Sequence, residues 1–280
     1  MQILIVGGLG AMGRRLTDAF RAHGHVVNVY DRDDPRDLTD AVRAGDIVMI
    51  AVPMHIACET VDRVAPLLRD DALLCDINSS KGDICARMRA QPRGEALGLH
   101  PMFGPSVSTL RGQKMVVCPV RPGPRADALL RTFDAMGLER IEADPDDHDR
   151  VMALVQVLTH FSTIVMGEAL RASGVDLRES LRFTSPIYRL ELAFVGRLFA
   201  QSSDLYAEIL MTNPRSGETL DAFRDAADRL GAIVRSGDRE AFRDVFADVA
   251  AYFADFATEA MATSDRVIDA IVDDGDTVRG

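Results

Sequence analysis

The chain has 280 residues, enough for one large domain or two of ordinary size. Hydrophobic residues make up 47% and charged residues 27%, which describes a folded chain with a substantial core and excludes a disordered one. Forty-three acidic residues against 32 basic ones give a net charge of −11, which argues against nucleic acid or an anionic membrane as partner but leaves room for a small anion held by one or two local cations.

Taken in chain order, the opening Met1–Val6 has no basic flank and meets glycines at once, so it is not expected to be a signal peptide, and Ile3–Val6 within it is strand-like. Further strand-like runs follow at Val26–Tyr30, Ile47–Val52, Ala72–Cys75, Ala96–Leu99 and Lys114–Cys118. Amphipathic stretches at Met12–Ala22, His55–Leu68 and Arg125–Met136 lie between them. This alternation predicts a Rossmann-type α/β domain, a doubly wound parallel sheet with helices on both faces. Near Asp144-Pro145-Asp146-Asp147 the pattern changes to a helix start. Downstream the spacing is helical over Arg178–Phe199 and Glu218–Phe253, with no convincing strand. The boundary is therefore placed at 145, with residues 1–145 a nucleotide-binding domain and 146–280 all-α.

The apolar stretch Val151–Leu170 carries Gln156, Thr159, His160 and Glu168. It is expected to be a helix buried between protein layers rather than a membrane span. Apolar runs from 151 to 211 exceed what one small helical layer would bury, so a homodimer through this half is expected. The last residues, from about Asp273, are expected to fray. Cys58, Cys75, Cys85 and Cys118 form no metal-ligand spacing, so no metal is expected, and scattered thiols suggest a reducing, cytoplasmic setting.

Directly after the first strand comes Gly7-Gly8-Leu9-Gly10-Ala11-Met12-Gly13, in which Gly8, Gly10 and Gly13 match G-x-G-x-x-G. The first glycine permits a tight turn, the second lets backbone approach a pyrophosphate, and the third lets helix pack on strand. The helix N-terminus then supplies free N–H groups. Asp31 ends the second strand, eighteen positions after Gly13, where a carboxylate accepts ribose hydroxyls and repels a 2′-phosphate. That favours NAD over NADP, although Arg32 is adjacent. Gly8, Leu9, Gly10, Ala11, Met12, Gly13, Asp31, Val52 and Pro53 are the candidate cofactor-binding residues.

Ligands of doubly wound sheets sit beyond the carboxyl ends of the strands. Two segments there are rich in chemistry, Asp76-Ile77-Asn78-Ser79-Ser80-Lys81 and Gly98-Leu99-His100-Pro101-Met102-Phe103-Gly104. His100 is placed to take a proton as hydride leaves, but position alone leaves a structural histidine open as well. In the helical half, Arg189 and Arg197 are eight residues apart and share one helix face. Either they bridge to carboxylates such as Glu191, or they form a fork for substrate carboxylates. Gln156 and His160 lie one turn apart, and a satisfied core polar pair is the default for them.

Those motifs, with His148-Asp149, Thr159-His160-Phe161 and the long S-P-I-Y-R-L-E-L-A-x-x-G-R-L-F-A-Q at 185–201, resemble prephenate dehydrogenases. The likeness is nearest to the dehydrogenase portion of the bifunctional chorismate mutase–prephenate dehydrogenases. It spans essentially the whole chain, which is expected to lack both the mutase helix before that portion and an ACT-type module after it. The resemblance implies NAD-dependent oxidative decarboxylation of prephenate to 4-hydroxyphenylpyruvate by an intertwined dimer. It implies His100 as the histidine that bonds the 4-hydroxyl, Ser79 as the serine bridging that site and the nicotinamide, and Arg197 as the grip on the ring carboxylate. Lys81, His160 and Arg189 match positions of substrate binding or active-site support.

One departure stands out: the bifunctional members carry Arg where this chain has Thr159. Stand-alone relatives in antibiotic pathways resemble 4-amino-4-deoxyprephenate dehydrogenases, which gives an alternative substrate for the same chemistry. A β-hydroxyacid dehydrogenase fits poorly, because positions 151–200 hold no lysine for its base. A catalytically silent NAD sensor on the same fold is the reading from another class.

Overall fold

The computed structural model describes residues 1–277, the last five as backbone only; the fraying expected from Asp273 is not met as far as Thr277, which is still helical, and the rest of that expectation lies outside the described residues. The chain divides into two compact units. The first is Met1–Val155 together with Ala207–Arg215, and the second is Gln156–Tyr206 together with the residues from Ser216 on.

The first unit is built on a seven-stranded sheet in the order β2-β1-β3-β4-β5-β6-β7. Its strands are β1 (Gln2–Val6), β2 (Val26–Tyr30), β3 (Ile47–Ile50), β4 (Leu73–Asp76), β5 (Glu95–Pro101), β6 (Lys114–Arg121) and β7 (Glu139–Glu142). The central strands are apolar at successive positions because both faces are covered. Alternate residues supply two separate cores. Ile3, Ile5, Met49, Cys75 and Leu99 pack with Leu16 and Phe20 of α1 (Ala11–Ala22) and with Leu129 and Phe133 of α5 (Pro124–Ala135). Leu4, Val48, Ile50 and Leu74 pack on the other face with Val61 of α3 (Met54–Val64) and Met88 of α4 (Gly82–Ala90). Truncating one of these large side chains, such as Phe133, to Ala is worth about 3–5 kcal/mol of stability.

Three features depart from the sequence expectation. β6 pairs antiparallel with β5, with a bulge at Ala96/Leu97, so the sheet is mostly rather than wholly parallel. The short helix α2 (Leu38–Ala44) forms because Asp37 accepts hydrogen bonds from the amides of Thr39 and Asp40. The edge strand β7 is exposed at all four positions, and its place comes from pairing with β6.

No strand follows β7 among the described residues. Helix α6 (Pro145–Met152), capped by Asp144, leads into a π-helical stretch over Ala153–Leu158 and then α7 (Thr159–Ala172). The burial expected for Val151–Leu170 is not met within this chain: Leu154, Val155, Val165 and Met166 are exposed. By length and composition the run Pro145–Ala172 is long and apolar enough to cross a membrane, which its polar residues were expected to forbid. Its His148 and Asp149, however, are buried and hydrogen-bonded inside the first unit.

The remaining helices are α8 (Leu177–Leu181), α9 (Pro186–Phe199), α10 (Ser203–Thr212), α11 (Ser216–Ser236), α12 (Arg239–Phe253) and α13 (Phe256–Thr277). Each of the two long helical stretches read from spacing is broken once. Ser185 caps α9 just before Pro186, and Gly237, at φ +69°, separates α11 from the Asp238 cap of α12.

Candidate active site

The glycine loop has the shape its spacing requires. A side chain at Gly13 would meet the Cα of Gly8 at 2.7 Å, so α1 lies directly on the turn. At Gly10 the nearest atom to such a side chain is the Gly7 carbonyl at 3.4 Å, so that side of the loop is open to an approaching group. Gly10 is the N-cap of α1 and provides no side-chain cap, and the first turn holds no acid. Those uncapped amides and the positive end of the helix fit a dinucleotide pyrophosphate. Asp31 stands beside the loop, where its Oδ2 accepts the Leu9 N–H at 3.3 Å.

Val52 and Pro53 follow β3 at the carboxyl edge of the sheet. The Asn78 amide donates to the Val52 carbonyl at 3.1 Å, joining this turn to the end of β4. Pro53 precedes α3, whose first amide, on Met54, donates to Glu208 Oε2 at 2.8 Å; the other oxygen of Glu208 pairs with His55.

His100 is the penultimate residue of β5 and almost wholly buried, at 3% exposure. Its Nδ1 lies 2.9 Å from Nε2 of His148, and Nδ1 of His148 lies 2.7 Å from Oδ1 of Asp149. Asp149 is fixed in turn by three donors: the amides of Lys81 at 2.8 Å and Gly82 at 2.9 Å, and the Ser80 hydroxyl at 3.1 Å. It therefore occupies the amide end of α4. Burial opposes its charge, but the hydrogen bonds from His148, Gly82 and Lys81 prevail and hold the carboxyl below its ordinary range.

Proton positions along this chain follow from its fixed end. An ionised Asp149 can only accept, so His148 carries its proton on Nδ1 and leaves Nε2 as acceptor. His100 then donates from Nδ1, and its Nε2 keeps a lone pair. Burial, together with the positive charge of Lys81, pushes His100 well below the ordinary histidine value, so the ring is neutral and basic at Nε2.

Lys81 is fully buried, and its ammonium donates to Asp76 and, at 2.8 Å, to the Leu99 carbonyl. Gly98 makes room for it: a side chain there would meet Cys85 Sγ at 2.4 Å and Lys81 Cδ at 3.3 Å. Lys81 thus braces the end of β5 directly before His100. Ser79, half-buried on the loop between β4 and α4, has a hydroxyl without a hydrogen-bond partner among the described residues.

In the second unit, Arg189 and Arg197 are both exposed on α9. Neither guanidinium has a carboxylate partner among the described residues, so the Arg–carboxylate bridges left open by spacing do not form. His160 on α7 is half-buried, lowered by burial below the ordinary histidine value, and packs edge-on against the Tyr206 ring at 5.0 Å between centroids. Sequence reading attached no role of their own to His148 and Asp149, although a His-Asp pair inside a capped helix start was a usable signal. Nothing in the sequence pointed to Glu208.

Fold and site together define a nucleotide-binding α/β domain with a buried neutral base, continued in one chain by a helical domain. Residues 14–136 match the family model for the prephenate dehydrogenase nucleotide-binding domain, and residues 144–248 match that for the prephenate dehydrogenase dimerization domain. The T-protein of Haemophilus influenzae is 33% identical over 267 residues, which cover 95% of this chain and 71% of that protein. The 4-amino-4-deoxyprephenate dehydrogenase of Streptomyces pristinaespiralis is 29% identical over 286 residues, 96% of each chain. A crystal structure of prephenate dehydrogenase from A. aeolicus, in complex with hydroxyphenyl propionate and NAD+, shares the fold at a TM-score of 0.70 and 19% identity, over 90% of this chain and 96% of that one. The chain belongs to the prephenate dehydrogenase family, as its motifs implied, and is an oxidoreductase of that type.

Proposed function

We propose that this chain carries out the NAD-dependent oxidative decarboxylation of prephenate to 4-hydroxyphenylpyruvate, as a cytoplasmic homodimer formed through its helical domain. The observation that carries this reading is the line from Asp149 through His148 to His100, which leaves one neutral, buried imidazole nitrogen as a proton acceptor. NAD, held by Gly8 to Gly13, Asp31, Val52 and Pro53, supplies the hydride acceptor.

Nε2 of His100 accepts the proton of the substrate's 4-hydroxyl as hydride leaves C4. The bond from the ring to its carboxylate then breaks, carbon dioxide departs, and the electron pair left behind completes the aromatic ring. The proton taken by His100 is stabilised along the same line, because His148 accepts from its Nδ1 and Asp149 supplies the opposing charge. The hydroxyl of Ser79, without a partner among the described residues, would lie between the reacting oxygen and bound NAD and orient the two. Arg197, having no internal carboxylate, receives the ring carboxylate of the substrate, with Arg189 and His160 in support. Lys81 acts from beneath, holding His100 in place and uncharged.

The correspondence with the Streptomyces protein over 96% of both chains, and Thr159 in place of Arg, favour a second reading. There the substrate is 4-amino-4-deoxyprephenate and the product 4-aminophenylpyruvate, in a secondary-metabolite pathway. A C4 amine expels hydride with its own lone pair and asks less of the base. Recording NADH formation with each substrate side by side tests both readings. Turnover of prephenate supports the first, preference for the amino compound supports the second, and turnover of neither overturns both.

A further inference from the structure

Helix α3 begins without a cap of its own. Its N-cap is Pro53, whose side chain has no oxygen to offer, and its first turn holds no acid. The first amides of a helix need acceptors, and its amino end favours negative charge. Glu208 of α10 supplies both, from the segment Ala207–Arg215 that belongs to the first unit. One carboxylate oxygen accepts the Met54 N–H at 2.8 Å, and the other pairs with the His55 ring.

That segment is fixed on the same unit at two further points. The Thr212 hydroxyl lies 3.8 Å from the Met54 sulfur, and the buried Asn213 side chain donates to the Asp149 carbonyl at 2.8 Å. The turn before α3 is anchored from its other side by Asn78, which donates to the Val52 carbonyl at 3.1 Å. Val52 and Pro53 are therefore clamped, with Asn78 ahead of them and Glu208 behind.

We infer that Glu208 is a positioning residue for the cofactor, acting through α3: by fixing the first residues of that helix it sets the Val52–Pro53 turn that NAD lies against. This rests on the role given to Val52 and Pro53 above.

A carboxylate suits the task because its two oxygens hold the first amide and the His55 ring together, which fixes the direction of the helix start as well as its place. A turn already in its bound shape spares the cofactor the cost of ordering it. Without Glu208 the Met54 amide loses its acceptor, and the turn keeps only its Asn78 anchor. The carboxylate also closes an anion site. Of the helix starts after β1, β3 and β4, those of α3 and α4 are occupied by Glu208 and Asp149, which leaves α1 as the open one for a pyrophosphate.

The test removes the carboxylate with Glu208→Ala and follows NADH binding by its fluorescence, which needs no turnover. The expected result is NADH affinity weakened about tenfold, with prephenate affinity by calorimetry within about twofold of wild type. Acetate, small enough to take the vacated place, is expected to restore most of the loss. Sodium chloride at the same ionic strength is expected to restore none of it, and acetate to leave wild type unchanged. In steady state the KM for NAD should rise while kcat stays within about twofold. Unchanged NADH affinity overturns the proposal. So does a loss that acetate leaves in place, or equal weakening of NADH and prephenate, either of which marks a general loosening of the fold. If Glu208→Ala does not fold, Glu208→Gln, which keeps the shape and removes the charge, decides. Weaker NADH binding at wild-type prephenate affinity then supports the proposal, and any other pattern overturns it. Wild-type NADH binding without turnover of either substrate would count against the functional reading alone.

Discussion

Nδ1 of His100 and Nε2 of His148 stand 2.9 Å apart, so the two rings share one proton and cannot both present it. Asp149 settles which ring gives it up, and the lone pair on Nε2 of His100 follows from that choice. Replacing His148 by Asn breaks the order without touching His100, the proposed base. kcat should fall by less than the roughly 10²–10⁴ that loss of a positioned base produces, with NAD affinity unchanged. Steady-state kinetics and NAD titration check this, and an unaltered kcat would remove His148 from the mechanism.

His100→Asn should lower turnover of prephenate by about 10²–10⁴, the usual worth of a positioned base. With 4-amino-4-deoxyprephenate the loss should be smaller, since the amine lone pair assists. The ratio of the two losses is the quantity to measure.

Arg197→Ala should weaken substrate affinity by about 1.5–3 kcal/mol, the range for a charge-assisted contact. Its melting temperature should stay at the wild-type value, since no ion pair inside the described residues is lost. A drop in Tm with KM unchanged would make the arginine structural.

Lys81 and Asp76 are both fully buried and paired with each other. Burial raises the Asp76 carboxyl above its ordinary range while the ammonium pulls it down. Lys81→Met should therefore destabilise the fold by about 3–5 kcal/mol, the usual result of stranding a buried partner. Adding Asp76→Leu should recover most of that, as read from denaturant midpoints.

His100 is held well below the ordinary value of 6.5, so in the folded state it stays neutral where the unfolded chain already binds a proton. Its contribution to stability is complete above that value and declines as the pH falls toward the folded value, by about 1.4 kcal/mol per pH unit. The acid limb of kcat should likewise lie below the usual histidine range. A limb at or above 6.5 would mean that His100 is not the base.

The central strands were legible because Ile3–Ile5, Ile47–Ile50 and Leu73–Leu74 are buried on both faces and must be apolar at every step. Glu139–Glu142 was illegible for the opposite reason: all four residues are exposed, and only backbone pairing with β6 makes them a strand. The direction of β6 depends on the path of the preceding loop, which no periodicity records. In the site, the glycine loop could be read because its chemistry is local. The line from His100 to Asp149 could not, because it depends on a contact between His100 and His148, 48 positions apart, and His148 looks unremarkable on its own helix. The lack of a carboxylate partner for Arg197 among the described residues is likewise a tertiary fact, invisible to spacing.

Asp149 sits on the first amides of α4, so the dipole of that helix is wired in series with the imidazole pair. The strength of the base is thereby adjustable from outside the pocket. Exposed Asp83, in the same first turn, opposes the pull of those amides on the carboxylate. Drift in surface charge along α4 would retune the working pH of the enzyme while every group that meets the substrate stayed as it is.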